Sequence, residues 1–167
     1  MAFFRIPTTV GLSVLSALCL TTTAHARDVS FSDCGQGEVK AVRVENCSDG
    51  TCSVASGLAV RVDIDFVSAT NAATPRLDGQ VDFSGLRVAI PGFETDGCKA
   101  TQCPVLPGAM TSLRLEVPLS EVSESAPREA RETLASARPA MLLRIASPSG
   151  APLACVRIPF QLVPDVD

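Results

Sequence analysis

The chain has 167 residues, a formal net charge of −4, 46% hydrophobic residues and only 4% aromatic ones, all of them Phe. That length fits a single domain once any leader is set aside. Its basic residues are scattered singly rather than gathered into a stripe, and Trp and Tyr are absent, which excludes nucleic-acid binding by either electrostatics or base stacking.

Residues 1–26 read as an address rather than as structure. Arg5 supplies a positive start, Val10 to Leu20 an apolar run, and Ala24-His25-Ala26 an A-x-A cleavage site. The run is shorter than the roughly 20 residues that a membrane span takes. A signal peptide is therefore expected over 1–26, with the working domain over 27–167, secreted or in the endolysosomal lumen. Cleavage takes Cys19 and His25 with it, leaving six cysteines and no histidine. An even cysteine count in a small secreted chain indicates a disulfide framework rather than a thiol or zinc site. The loss of histidine excludes Ser-His-Asp and Cys-His hydrolases and removes the commonest zinc ligand. No catalytic residue, metal or cofactor is expected, and the protein is not read as an enzyme.

Period-two alternation runs through most of the remainder, which predicts strands. Val39 is out of phase with Val42 and Val44, so a bulge or break is expected between them. Asn46-Cys47-Ser48 is formally a glycosylation sequon with a cysteine at its centre. Leu58, Val60, Val62, Ile64 and Phe66 alternate with Ala59, Arg61, Asp63 and Asp65, one dry face against one wet face. On that wet face Asp63 and Asp65 are a solvated surface rather than a catalytic pair. Val81 and Phe83 are out of phase with Leu86, Val88 and Ile90, which places a break at Ser84-Gly85. Pro91-Gly92 and Pro107-Gly108 are turns. Leu113, Leu115, Val117 and Leu119 make the next strand, Met141, Leu143 and Ile145 another, and Val156, Ile158, Phe160 and Leu162 the last. Pro159 requires that last strand to be at an edge or bulged. Seven or so short strands with turn signals between them predict an all-β sandwich of two sheets. The exception is 120–137, where Val122, Ala126, Ala130 and Leu134 recur every four residues; a short helix or a charged loop both fit.

Six cysteines can pair in many ways. Cys47 and Cys52 stand five apart across an Asp-Gly turn, and Cys98 and Cys103 five apart before Pro104, so each close pair could close a small loop and leave Cys34 and Cys155 to join the ends. The segments FSDCG, NCSDGTCSVASG, DGCKATQCP and CVRIPFQLV resemble, in the same order, the four cysteine-bearing segments of the ML (lipid-recognition) domain family, most closely its soluble Niemann-Pick type C branch. The resemblance covers Phe31 to Val163, with 122–137 as an extra stretch. It implies the pairs Cys34–Cys155, Cys47–Cys52 and Cys98–Cys103. It also implies an immunoglobulin-like sandwich of two antiparallel sheets that hold a lipid between them.

On that basis the expected lipid-lining residues are the dry-face positions Val60, Val62, Ile64, Val117, Leu119, Met141, Leu143, Val156 and Ile158, with Val88 and Ile90 near the mouth. Burying about 400 Å² of sterol-sized apolar surface would contribute on the order of 10 kcal/mol before the costs of association. Where the Niemann-Pick branch carries a Phe, this chain reads RVAIPGFETDGC and places Ile90 there; Phe93 is the nearby aromatic. The expected partners are a sterol or another lipid, with transient contact to a membrane or lipid transporter, no nucleic acid, and a monomeric state. Alternatives are a recognition protein that presents a lipid to a receptor, as innate-immune or allergen-like relatives would, and a carrier of fatty acids or other small apolar ligands. The 120–137 segment, which follows Leu119, is expected to lie near the mouth as a lid.

Overall fold

A computed structural model describes residues 27–45, 47, 52–55, 59–119 and 139–163. The alternating segments form β1 (Arg27–Asp28), β2 (Ser32–Asp33), β3 (Val39–Val44), β4 (Cys52–Ala55), β5 (Ala59–Val67), β6 (Arg76–Phe83), β7 (Leu86–Ala89), β8 (Met110–Pro118), β9 (Ala140–Ala146) and β10 (Pro152–Val163). The helical content of the described residues is one 3-10 turn, Gly97–Lys99. The expected leader, the Asn46 sequon, Leu58 and the 120–137 segment with its proposed helix lie outside the described residues.

One sheet runs β1-β3-β5-β8, and the other runs β2-β10-β9-β6-β7, with β4 added to β10 in parallel. All other pairings are antiparallel. The phase slip after Val39 is a register shift: Val39 faces Phe66, but Ala41 faces Asp65, after which Val42 and Val44 align with Ile64 and Val62. The second slip is a hairpin. Ser84 and Gly85 both have positive φ, +54° and +103°, the pattern of a two-residue type I′ turn, and beyond it Val88 comes to lie opposite Val81.

Pro159 sits where a missing N–H costs nothing. The Phe160 N–H donates to the Pro139 carbonyl, so by the alternation of an antiparallel ladder the Pro159 nitrogen points away from β9. On that side β10 pairs with β2 at Val156 and Arg157 and with β4 only from Phe160 onward, and Pro159 falls in the gap.

The three disulfides join Cys34 to Cys155, Cys47 to Cys52 and Cys98 to Cys103, with Cα separations of 4.9, 4.4 and 5.5 Å. Beside the last of them the chain covers a sheet edge. The Arg114 N–H donates to the Ala100 carbonyl (2.9 Å), and the Thr101 hydroxyl donates to the Ser112 carbonyl (2.8 Å), which occupies backbone groups that β8 would otherwise leave open to another strand.

Charges line the outer face of the β3-β5-β8 sheet. Arg43 pairs with Asp65 at 2.8 Å, Arg61 with Glu45 at 3.3 Å and Arg114 with Asp63 at 3.6 Å. Burial opposes ionisation of Asp65, but a hydrogen bond from the Ser112 hydroxyl (2.6 Å) and the Arg43 guanidinium outweigh it and hold the carboxyl below its ordinary range. Asp65 in turn raises the Arg43 pKa.

Candidate functional site

The inward faces of the two sheets are built row by row from the register. On one sheet Val44, Val62 and Leu115 lie side by side, as do Val42, Ile64 and Leu113, with Val60 beside Val117. On the other, Val81, Met141 and Ile158 form a row, then Gly79, Leu143 and Val156, then Leu77, Ile145 and Ala154. Alternation fixes this outcome, because each strand's odd or even set must share a face.

Ten of the eleven expected lining residues fall into one buried cluster: Val60, Val62, Ile64, Ile90, Val117, Leu119, Met141, Leu143, Val156 and Ile158. Val88 is half-buried, on the edge strand β7. The cluster they form carries no charge among the described residues. Among the described residues the one buried carboxylate, Asp82, pairs in register with Ala140, one step out of phase with the inward Val81–Met141 row, and reaches Arg157 at 3.8 Å on the outer face. Such a neutral, apolar interior offers nothing to stabilise an ion.

Gly79 is the gap in these rows, and it is filled from outside the strand. A Cβ at Gly79 would stand 2.7 Å from the Phe93 ring, so the ring occupies the place of the missing side chain. The Ile90-Pro91-Gly92-Phe93 turn delivers it: Gly92 has φ +66°, and the Phe93 N–H donates to the Ile90 carbonyl at 3.4 Å. Gly79 is not among the expected residues, although a lone Gly between Leu77 and Val81 signals a close approach. Phe66, Leu113 and Leu115 also face inward and share the parity of the residues expected on β5 and β8, and Val81 faces inward on β6, a strand from which no lining residue is expected.

The 90–101 segment forms a strap from one sheet to the other. The Ile90 N–H donates to the Gly79 carbonyl (3.0 Å), Leu77 to Thr95 (2.9 Å), Gly97 to Pro75 (2.9 Å), and Arg114 of β8 to Ala100 (2.9 Å). The edges β7 and β8 therefore lie on the same side of the sandwich, and the strap closes one half of that side. The other half lies between β7 and the C-terminal half of β8, where Val88 and Leu119 stand, and no such strap crosses it among the described residues.

The described grooves are elsewhere. One of about 590 Å³ lies against the outward face of β8, and one of about 260 Å³ is lined by Thr74, Pro75, Arg76, Thr95 and Asp96. Among the described residues there is no cluster of three or more potential metal ligands, and no helix long and apolar enough to cross a membrane.

A sequence model of the ML domain matches residues 28–162. The mite group 2 allergen Pso o 2 of Psoroptes ovis is 34% identical over 98 residues, 58% of this chain and 68% of that protein. The mite group 2 allergen Tyr p 2 of Tyrophagus putrescentiae is 33% identical over 113 residues, 66% and 79% of the two chains. The NPC intracellular cholesterol transporter 2 of Bos taurus is 33% identical over 91 residues, 53% and 61%. The crystal structure of a Niemann-Pick type C2 protein from the Japanese carpenter ant superposes with a TM-score of 0.62 at 13% identity, covering 80% of this chain and 99% of that one, and shares the fold. With its strand rows, its three disulfides and a family match over nearly all of the described residues, the chain belongs to the ML-domain family.

Proposed function

We propose that the protein is a secreted carrier that holds an apolar lipid, a sterol or a ligand of similar size, between its two sheets and transfers it through water without catalysis. The observation that carries this reading is the division of chemistry across the long strands: apolar, uncharged inner faces, against an outer face of β3-β5-β8 that carries ion pairs. A ligand would lie against Val60, Val62, Ile64, Val117, Met141, Leu143, Val156 and Ile158, and pass Val88, Ile90 and Leu119 on the unstrapped side. The bovine relative is named a cholesterol transporter, which supports a sterol as the first ligand to try. Ile90 makes the mouth aliphatic, and a fatty acid is the competing ligand.

The test is competition between a fluorescent sterol and a fluorescent fatty acid for the purified mature protein. Saturable sterol binding is expected, weakened by about tenfold in Val88→Asp, because a charge placed at the mouth opposes passage and contact of apolar surface. Failure of both probes to bind would sink the carrier reading. Binding without transfer between vesicles would favour a protein that presents its lipid to a receptor.

A further inference from the structure

The strand residues of the inner rows are fixed in place by their ladders. Phe93 is different: it belongs to the 90–101 strap, yet its half-buried ring packs against the inner cluster. The ring fills the place of a Gly79 side chain, 2.7 Å from where that Cβ would stand. Gly79 pairs in register with Leu143, and Leu143 with Val156, so the ring completes a row of three side chains: Phe93, Leu143, Val156. Leu143 and Val156 are both proposed ligand contacts, and an apolar molecule lying against them meets the ring as well.

The strap is pinned to β6 on either side of the ring. The Ile90 N–H donates to the Gly79 carbonyl (3.0 Å), and the Leu77 N–H donates to the Thr95 carbonyl (2.9 Å). The Phe93 N–H donates within its own turn, to the Ile90 carbonyl at 3.4 Å. The ring can therefore turn about its side-chain bonds without breaking a hydrogen bond between strap and β6, and where it withdraws, only the bare backbone of Gly79 lies beneath it.

A wall of this kind sorts ligands by width and stiffness. An acyl chain has a torsion at every carbon and can bend past the ring, whereas a fused-ring molecule has none to use and must displace it. We infer that Phe93 is the specificity-determining residue of the carrier, favouring a flexible acyl chain over a rigid fused-ring ligand. The inference rests on the carrier reading and deepens it by naming the residue that chooses between the two competing ligand classes.

The experiment measures the dissociation constants of a fluorescent sterol and a fluorescent fatty acid for the purified mature protein and its variants, and reads their ratio. Phe93→Ala should raise affinity for the sterol relative to the fatty acid by about tenfold or more, since a single methylene in an apolar pocket is already worth roughly tenfold. Phe93→Leu, which keeps more of the packing, should fall between. Gly79→Val with Phe93→Ala refills the same place from β6 and should return the ratio toward that of the unaltered protein. Leu106→Ser, at an exposed position outside the inner cluster, should leave it unmoved. Thermal melts check that each variant folds. Benzene, which enters dry apolar cavities, should raise the melting temperature of Phe93→Ala and not that of the unaltered protein. A Phe93 that serves packing alone would weaken both probes alike. An unmoved ratio in Phe93→Ala and Phe93→Leu, or no return on refilling, would overturn the inference and leave the carrier reading intact. Absence of a benzene effect on Phe93→Ala would overturn it too, because the ring would then fill no interior place. If neither probe bound the unaltered protein, the carrier reading itself would fall and take this inference with it.

Discussion

Gly79 and Phe93 form the one place in the inner rows where a backbone position, not a side chain, makes room. Adding a single methyl at Gly79 places it 2.7 Å from the Phe93 ring, on a strand paired on both sides, so neither partner can move freely. Gly79→Ala is expected to destabilise the protein by about 1–3 kcal/mol, as overpacking does. Phe93→Ala, itself destabilising, should remove most of that penalty in the double variant; a urea-denaturation cycle measures the coupling, and strict additivity would show that the ring does not occupy the Gly79 site. Carboxylates supply a second test. Burial opposes ionisation of Asp33, but backbone N–H groups of Val39 (2.9 Å) and Gly35 (2.7 Å), with a further contribution from Gly37, hold its carboxyl below the ordinary value of 3.8, and Asp65 is lowered as well. Groups lowered in the folded state contribute stability that is fully present above the ordinary value and is lost as pH falls through the folded one. The urea midpoint should therefore be flat above about pH 5 and fall below about pH 4, less steeply in Asp33→Asn and Asp65→Asn.

The β6–β7 hairpin turns on Ser84, which takes a positive φ of 54° without the side chain best suited to it. Asn tolerates that conformation and forms the favoured Asn-Gly pair with Gly85, so Ser84→Asn should stabilise the protein by about 0.5 kcal/mol, read as a raised denaturation midpoint. The long strands were legible because their partners bury one face only: β5 and β8 alternate without a break, and both phase slips mark real events, a register shift beside Val39 and this turn. β4 was not legible. Cys52–Ala55 is too short to show a period, and its parallel partner, Phe160–Val163 of β10, lies more than 100 residues away in the chain. The strap was hidden for a different reason, since its hydrogen bonds reach Gly79, Leu77, Pro75 and Arg114 singly and leave no periodic trace. Of the candidate site, parity gave the inward faces, but it carries no information on which part of the sandwich's side the strap covers. That follows from where 90–101 crosses between the sheets.

Across the whole domain, the Cys34–Cys155 bridge differs in kind from the other two. It closes a loop of 121 residues, whereas each of the others spans five, and on the chain-entropy model its contribution is about 5 kcal/mol against about 2 for each small loop. It also anchors the weakest part of the sheet. β2 pairs with β10 through two residues, Ser32 and Asp33, and the Cys34 N–H continues that contact to the Cys155 carbonyl at 3.0 Å. A domain of this size has a total stability of roughly 5–15 kcal/mol, so losing the long bridge removes a large part of it. Cys34→Ser with Cys155→Ser should lower the denaturation midpoint clearly more than Cys98→Ser with Cys103→Ser, and amide exchange should quicken first along β2 and the facing stretch of β10. Equal losses from the two pairs would mean that local strain or residual denatured structure, rather than loop length, sets their worth. The small Cys98–Cys103 loop instead holds the strap that covers β8, and its removal should be felt more in protection of the Arg114 amide than in global stability.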